Sequence, residues 1–186
     1  LARQTCAKVD GAPLGDFTYA PLRDARHIIG LAGGSGITPF RSLARAIADG
    51  DEDATLTLLY GCRSQADAVF QDEFREIAAA CDRFKIVNVL SDEPSEGCEK
   101  GFITAELIQK YAPVGEDYSV FLCGPQAMYN FADRELEKLG LRRKFVRHEL
   151  FGEYHHPEKD TAYPGDGKGE YELTVRICGE EKKVRC

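Results

Sequence analysis

Glycines stand at positions 33, 34 and 36 in the run LAGGSGITPF (31–40), followed by a threonine–proline step at Thr38 and Pro39. Glycine lets main-chain N–H groups come close to a ligand because no Cβ stands in the way. A helix N-terminus behind such a loop favours an anion, phosphate above all. The apolar run before the loop reads as a strand and the pattern after it as a helix, so Gly33, Gly34, Ser35 and Gly36 are placed like a diphosphate cradle. Thr38 is expected to cap the helix and Pro39 to be its first residue, where the missing N–H has no helical partner to lose. A tight strand-to-helix turn without a ligand fits the same residues.

Two further runs have the same logic. In FLCGPQAM (121–128) a strand is followed by Gly124, which opens the backbone, and by Pro125, which starts a helix carrying Met128. Cys123 falls at the strand's carboxyl end near a helix N-terminus, where a thiol facing a cleft and a buried structural cysteine are the two readings. In YGCRSQAD (60–67), Arg63 and Ser64 either meet an adenosine ribose or its 2'-phosphate, or belong to a helix start with a solvated arginine.

These loops need elements to hold them, and the hydrophobic period supplies candidates. Runs at 27–32, 54–60, 84–90, 118–123 and 144–148 read as strands, and 39–48, 68–80, 104–111 and 125–139 carry apolar residues at helical spacing. Near-continuous apolar strands alternating with helices predict an α/β fold, a doubly wound five-stranded parallel sheet covered on both faces. Ligands of such sheets sit beyond the carboxyl ends of the strands, near the switch in strand order. The rhythm spans residues 25–151. Residues 1–24 read as the tail of another unit, 152–170 as a Gly-, Pro- and charge-rich linker, and 171–186 as one hairpin, too little to be stable alone.

Composition removes several function classes. A net charge of −7 with no long Lys/Arg run argues against nucleic acid and anionic membrane partners. No apolar run reaches the roughly 18 to 20 residues of a membrane span, so the expectation is a soluble, cytoplasmic protein. Seven scattered cysteines without a C-x-x-C pair argue against a disulfide framework or a zinc site. The adjacent His155 and His156 point apart, so no metal site is expected there either.

Together the three loops resemble the NAD(P)H-binding half of the ferredoxin–NADP reductase family. Its Gly-Gly-x-Gly-x-(Thr/Ala)-Pro loop is similar to Gly33–Pro39, its Tyr-Gly-x-Arg-(Ser/Thr) segment to Tyr60–Ser64, and its Cys-Gly-Pro-x-x-Met run to Cys123–Met128. The resemblance covers residues 11–151 and implies NADH or NADPH as the bound dinucleotide. It implies that Cys123 lies beside the nicotinamide C4 as an orienting group and not a nucleophile, with Thr38 and the glycines holding the pyrophosphate. Glu149 would stand one shell further out. The stretch 148–151, ending in Phe151, resembles the end of the nucleotide domain in three-domain reductases, where an aromatic residue lies near the flavin. Residues 171–186 resemble the first hairpin of a plant-type [2Fe–2S] ferredoxin.

The implied parent passes hydride from NAD(P)H to FAD and single electrons onward to a [2Fe–2S] cluster or an acceptor protein. The family's Arg-x-(Tyr/Phe)-(Ser/Thr) flavin segment and the four cluster cysteines are absent from this sequence, however. The chain alone is therefore expected to bind dinucleotide, to hold neither flavin nor cluster, and to be inactive. Asp67 and the lack of a second cation near Arg63 tilt the expectation to NADH. A non-enzymatic dinucleotide-binding module and an unrelated doubly wound dehydrogenase are the alternatives.

Overall fold

A computed structural model describes residues 17–93, 95–150, 172–177 and 180–185. The chain divides into two compact units, Leu1–Phe151 and Gly152–Cys186. The first holds six parallel strands: β1 (His27–Gly33), β2 (Thr55–Cys62), β3 (Phe84–Leu90), β4 (Glu99–Lys100), β5 (Tyr118–Gly124) and β6 (Val146–Leu150). Their order is β4-β3-β2-β1-β5-β6, so the chain winds outward from β1 in one direction, returns, and winds outward in the other. The switch in strand order lies between β1 and β5. The expected five strands are present, and β4 is the addition: two residues that carry no readable period but pair with Val89 and Leu90 at the sheet edge.

Among the described residues four helices cover the sheet: α1 (Thr38–Asp49), α2 (Gln71–Ala80), α3 (Ala105–Tyr111) and α4 (Gln126–Lys138). α1 buries Phe40, Ala44 and Ile47, an i, i+4, i+7 stripe, against one face together with Phe74 and Ile77 of α2. The other face is packed by Ile108 of α3 and by Tyr129, Ala132 and Leu136 of α4. Strand residues divide by the pleat: Phe121 and Cys123 join the α1/α2 side, Val120 and Leu122 the α3/α4 side.

Two element starts differ from expectation by more than one residue. The helix expected from residue 68 begins at Gln71, because 65–67 form a separate 3-10 turn and Phe70 adopts a left-handed backbone with φ 59°. The strand expected from Lys144 begins at Val146, because Arg143–Phe145 form a 3-10 turn that drops Phe145 into the core.

Residues 17–24 pack onto this unit. The Phe17 ring lies 5.7 Å from that of Phe40 and 5.3 Å from that of Phe121, and Tyr19 is buried in the same cluster. Asp24 and Arg147 form a buried two-point ion pair with N–O distances of 2.9 and 2.5 Å, and Asp24 also accepts the Ala20 N–H. The Arg147 guanidinium lies 5.3 Å over the Phe121 ring. In the second unit, β7 (Glu172–Ile177) and β8 (Glu180–Arg185) pair antiparallel, with Glu172 opposite Arg185 and Arg176 opposite Glu181.

Candidate dinucleotide site

The loop after β1 is tighter than a flexible glycine run. Gly34–Ile37 form a 3-10 turn that leads directly into α1. Thr38 is already helical and Pro39 follows it, so Pro39 is the second helical residue and Thr38 is not the cap. The Thr38 hydroxyl instead donates to the Ser35 carbonyl at 3.1 Å, which ties the loop to the helix from within. Proline at this position still loses no helical hydrogen bond.

The three glycines serve different ends. A Cβ on Gly36 would stand 2.2 Å from the Cys123 carbonyl oxygen, and one on Gly33 would stand 2.5 Å from the Met128 sulfur and 3.1 Å from Pro125 Cδ. These two let the ends of β1 and β5 close on each other. Gly34 alone opens outward: it has φ +52°, is exposed, and a Cβ there would meet nothing within 4 Å. The place where a diphosphate can approach the backbone is thus the Gly34–Ser35 step, at the amino end of the 3-10 turn and α1.

The loop after β5 has its own departures. Pro125 is extended (φ −70°, ψ 154°) and precedes α4, which starts at Gln126, so it is the boundary residue and not the first helical one. Gly124 N–H donates to the Tyr129 hydroxyl at 3.3 Å, and that hydroxyl donates to the Glu149 carbonyl of β6. Cys123 is fully buried on the α1/α2 face and is not part of the cleft described below, against the reading of a thiol facing it. The alternation of the strand puts it beside Phe121. Burial first and the Glu149 carboxylate second push its thiol pKa up to about 12, so it remains a neutral thiol.

A cleft of about 510 Å³ lies across the carboxyl ends of the strands, at and beside the β1/β5 switch. Gly33 and Gly34 form one end with Pro125 and Met128, and Arg63, Asp67 and Ser91 form the polar far side. Phe102 and Phe131, their ring centroids 5.7 Å apart and their planes tilted by 49°, contribute an apolar aromatic wall, and Phe102 is 66% exposed. Phe102, Phe131 and Ser91 stand in none of the three loop motifs; the rule that ligands lie beyond strand ends, applied to the loop after β3, leads to Ser91.

Arg63 and Ser64 are both engaged within the protein. The Ser64 hydroxyl donates to Asp67 at 2.8 Å, and the Asp67 carboxylate also accepts the Ser64 N–H at 3.0 Å, a reciprocal cap on the short 3-10 turn. Arg63 Nε donates to Asp92 at 3.0 Å while most of its side chain stays exposed. Ser91 and Arg63 hold the Asp92 carboxyl below its ordinary range, so it is a carboxylate at neutral pH. Asp92 thus partners Arg63, and Asp67 partners Ser64, the next residue. Phe151 lies outside the described residues, as do His155 and His156. Among the described residues there is no group of His, Cys, Asp and Glu fit to hold a metal, and no helix is long and apolar enough to cross a membrane.

Residues 31–134, which carry all three loops and the cleft, match the family described as the oxidoreductase NAD-binding domain. The chain belongs to that family. The NAD-binding domain has the ferredoxin–NADP reductase-like form that its loop motifs implied. Over 149 residues it is 33% identical to the flavohemoprotein of Rhodopirellula baltica, a match covering 76% of this chain and 36% of that protein. Over 127 residues it is 37% identical to NADH-cytochrome b5 reductase 1 of Homo sapiens, covering 66% of this chain and 42% of the relative. Among solved structures it is similar to the cytochrome b5 reductase domain of Ulva prolifera nitrate reductase, with 28% identity, a TM-score of 0.60, and coverage of 67% and 49% of the two chains. The chain spans less than half the length of the curated relatives it matches.

The cleft fits a nicotinamide dinucleotide: an open glycine step at a helix start for the diphosphate, a polar flank after β2 and β3, and an aromatic wall for a ring. A second cavity of about 250 Å³ lies between residues 17–19 and α1, and Glu52 is the one charged residue lining it among the described residues.

Proposed function

We propose that this chain is the NAD(P)H-binding part of a flavin-dependent electron-transfer oxidoreductase, an enzyme in its intact form. The observation that carries this reading is the open Gly34–Ser35 step at the β1/β5 switch, beside the cleft at the sheet's carboxyl edge. Similarity to a flavohemoprotein and to an NADH-cytochrome b5 reductase supports it. The chemistry that a flavin held by another unit would supply is acceptance of the hydride and its release as single electrons to an acceptor protein or a [2Fe–2S] cluster. The residues of this chain do the binding and orienting. Ser35 and its neighbours receive the diphosphate, and the aromatic wall of Phe102 and Phe131 takes a ring. Cys123, kept neutral, packs the end of β5 from beneath and orients the strand end that the nicotinamide approaches.

NADH is the preferred form in this proposal. Arg63 is partnered by Asp92, Ser64 by Asp67, and both carboxylates stand where a 2'-phosphate would bring two further negative charges. Titrating the chain with NADH and NADPH in parallel tests both statements. Saturable binding with NADH at least as tight as NADPH is expected. No binding of either overturns the function, and NADPH tighter by about tenfold, or roughly 1.4 kcal/mol, overturns the preference.

A further inference from the structure

Tyr60 is buried on β2, and its ring alone accounts for its place in the core. Its hydroxyl does something separate. It donates to the Gly34 carbonyl at 3.3 Å and accepts the Val69 N–H at 3.4 Å, so one oxygen joins the loop after β1 to the segment that leads into α2. That segment is held from its other side as well: Phe70, the next residue, has the left-handed φ of 59°, and the Arg41 guanidinium of α1 lies 5.0 Å from its ring centroid. A residue kept in that conformation persists only where its surroundings over-determine it.

The consequence for the cleft follows from the planar trans peptide. The carbonyl of Gly34 and the N–H of Ser35 share one plane and point in opposite directions. With the carbonyl turned to Tyr60, the Ser35 N–H is turned away from it, and as one of the first N–H groups of the 3-10 turn it has no partner inside that turn. Gly34, with its left-handed φ and no neighbour within 4 Å of a Cβ, is a pivot about which this peptide could otherwise flip.

We propose that Tyr60 is a positioning residue of the dinucleotide site: its hydroxyl fixes the Gly34–Ser35 peptide so that the Ser35 N–H is presented to the diphosphate. The inference rests on the dinucleotide reading above and deepens it. It assigns no contact between Tyr60 and the ligand. Tyr129 makes the matching connection at the other side of the switch, between Gly124 N–H and the Glu149 carbonyl.

The test uses the full chain, unaltered and as Tyr60→Phe, with amide NMR spectra titrated with ADP-ribose and, separately, with adenosine, which lacks the diphosphate. Removing one hydrogen bond that sets the anion site is expected to weaken ADP-ribose by ~tenfold and to leave adenosine within about twofold. In the unaltered chain the Ser35 amide should be among those that shift with ADP-ribose and not with adenosine. Equal weakening of both ligands, an unchanged ADP-ribose affinity, or a silent Ser35 amide overturns the assignment. If the phenylalanine variant does not fold, the Ser35 response of the unaltered chain decides alone. If the unaltered chain binds neither ligand, the dinucleotide reading itself fails, an outcome distinct from failure of the Tyr60 assignment.

Discussion

Replacing Gly36 by alanine adds one methyl group in a place already occupied. Its Cβ would stand 2.2 Å from the Cys123 carbonyl oxygen, 2.4 Å from the carbonyl carbon and 2.6 Å from Gly124 N. Contacts of this kind normally need about 3.5 Å, so the overlap is on the order of 1 Å against three atoms at once. All three belong to the backbone of β5, which is paired to β1 on one side and β6 on the other, so no rotamer change relieves it. Overpacking of this sort costs typically 1–3 kcal/mol, and a clash with a central strand belongs at about 3 or above. For a chain of this length that is a fall in Tm of about 6–12 °C. Gly34→Ala is the control: with open space around it and φ +52°, it meets only left-handed strain. That is worth about 1–2 kcal/mol, or a fall of about 2–8 °C. Differential scanning calorimetry of the two variants beside the unaltered chain gives the ranking. A Gly36→Ala melting temperature within about 2 °C of the unaltered one, or above that of Gly34→Ala, would refute the account of Gly36 as the contact point of two strand ends.

Three further outcomes are expected. Breaking the buried ion pair by Asp24→Asn leaves Arg147 facing a neutral amide in the core and should lower stability by about 3 kcal/mol, read as a shift of the urea midpoint. The thiol of Cys123, with its pKa pushed up to about 12, should resist iodoacetamide in the folded chain at pH 8 while the half-buried Cys81 and Cys98 react, as peptide mass mapping would show. Because the folded thiol holds its proton more tightly than an unfolded one, this group's stability contribution is complete below its ordinary pKa of 9.0 and is lost as pH rises toward about 12. Tyr60 and Tyr129, also raised to about 12 by burial, add to the same alkaline loss above pH 10.0, measurable as a falling thermal midpoint. Asp92→Asn removes the carboxylate that pairs with Arg63 and should narrow the gap between NADH and NADPH affinity by about a few-fold in parallel titrations.

The strand-helix alternation was legible because parallel strands covered on both faces are apolar throughout, and runs such as HIIGLA and YSVFLC show it without ambiguity. The edge of the sheet that carries the site followed from the order of elements. The reason for the glycines was not legible. That Gly36 must be bare because of Cys123 is a contact across 87 positions of sequence, and only the packing of β1 beside β5 creates it. Cys123 shows a related limit. Period two tells which residues share its face, Phe121 among them, but the winding of the chain decides whether that face meets a helix layer or the cleft. Phe102 stood in a stretch with no period of its own, after a two-residue strand, and gained meaning only when α4 brought Phe131 against it.

The Asp24–Arg147 pair bears on how such units can be recombined. The carboxylate enters from the segment before β1 and the guanidinium from the last strand of the sheet, 123 residues later. A chimera that joins this sheet to a foreign upstream module between residues 24 and 25 would inherit the arginine without its acid. Donor and acceptor modules are therefore interchangeable only when the splice falls before Phe17, or when both members of the pair travel together.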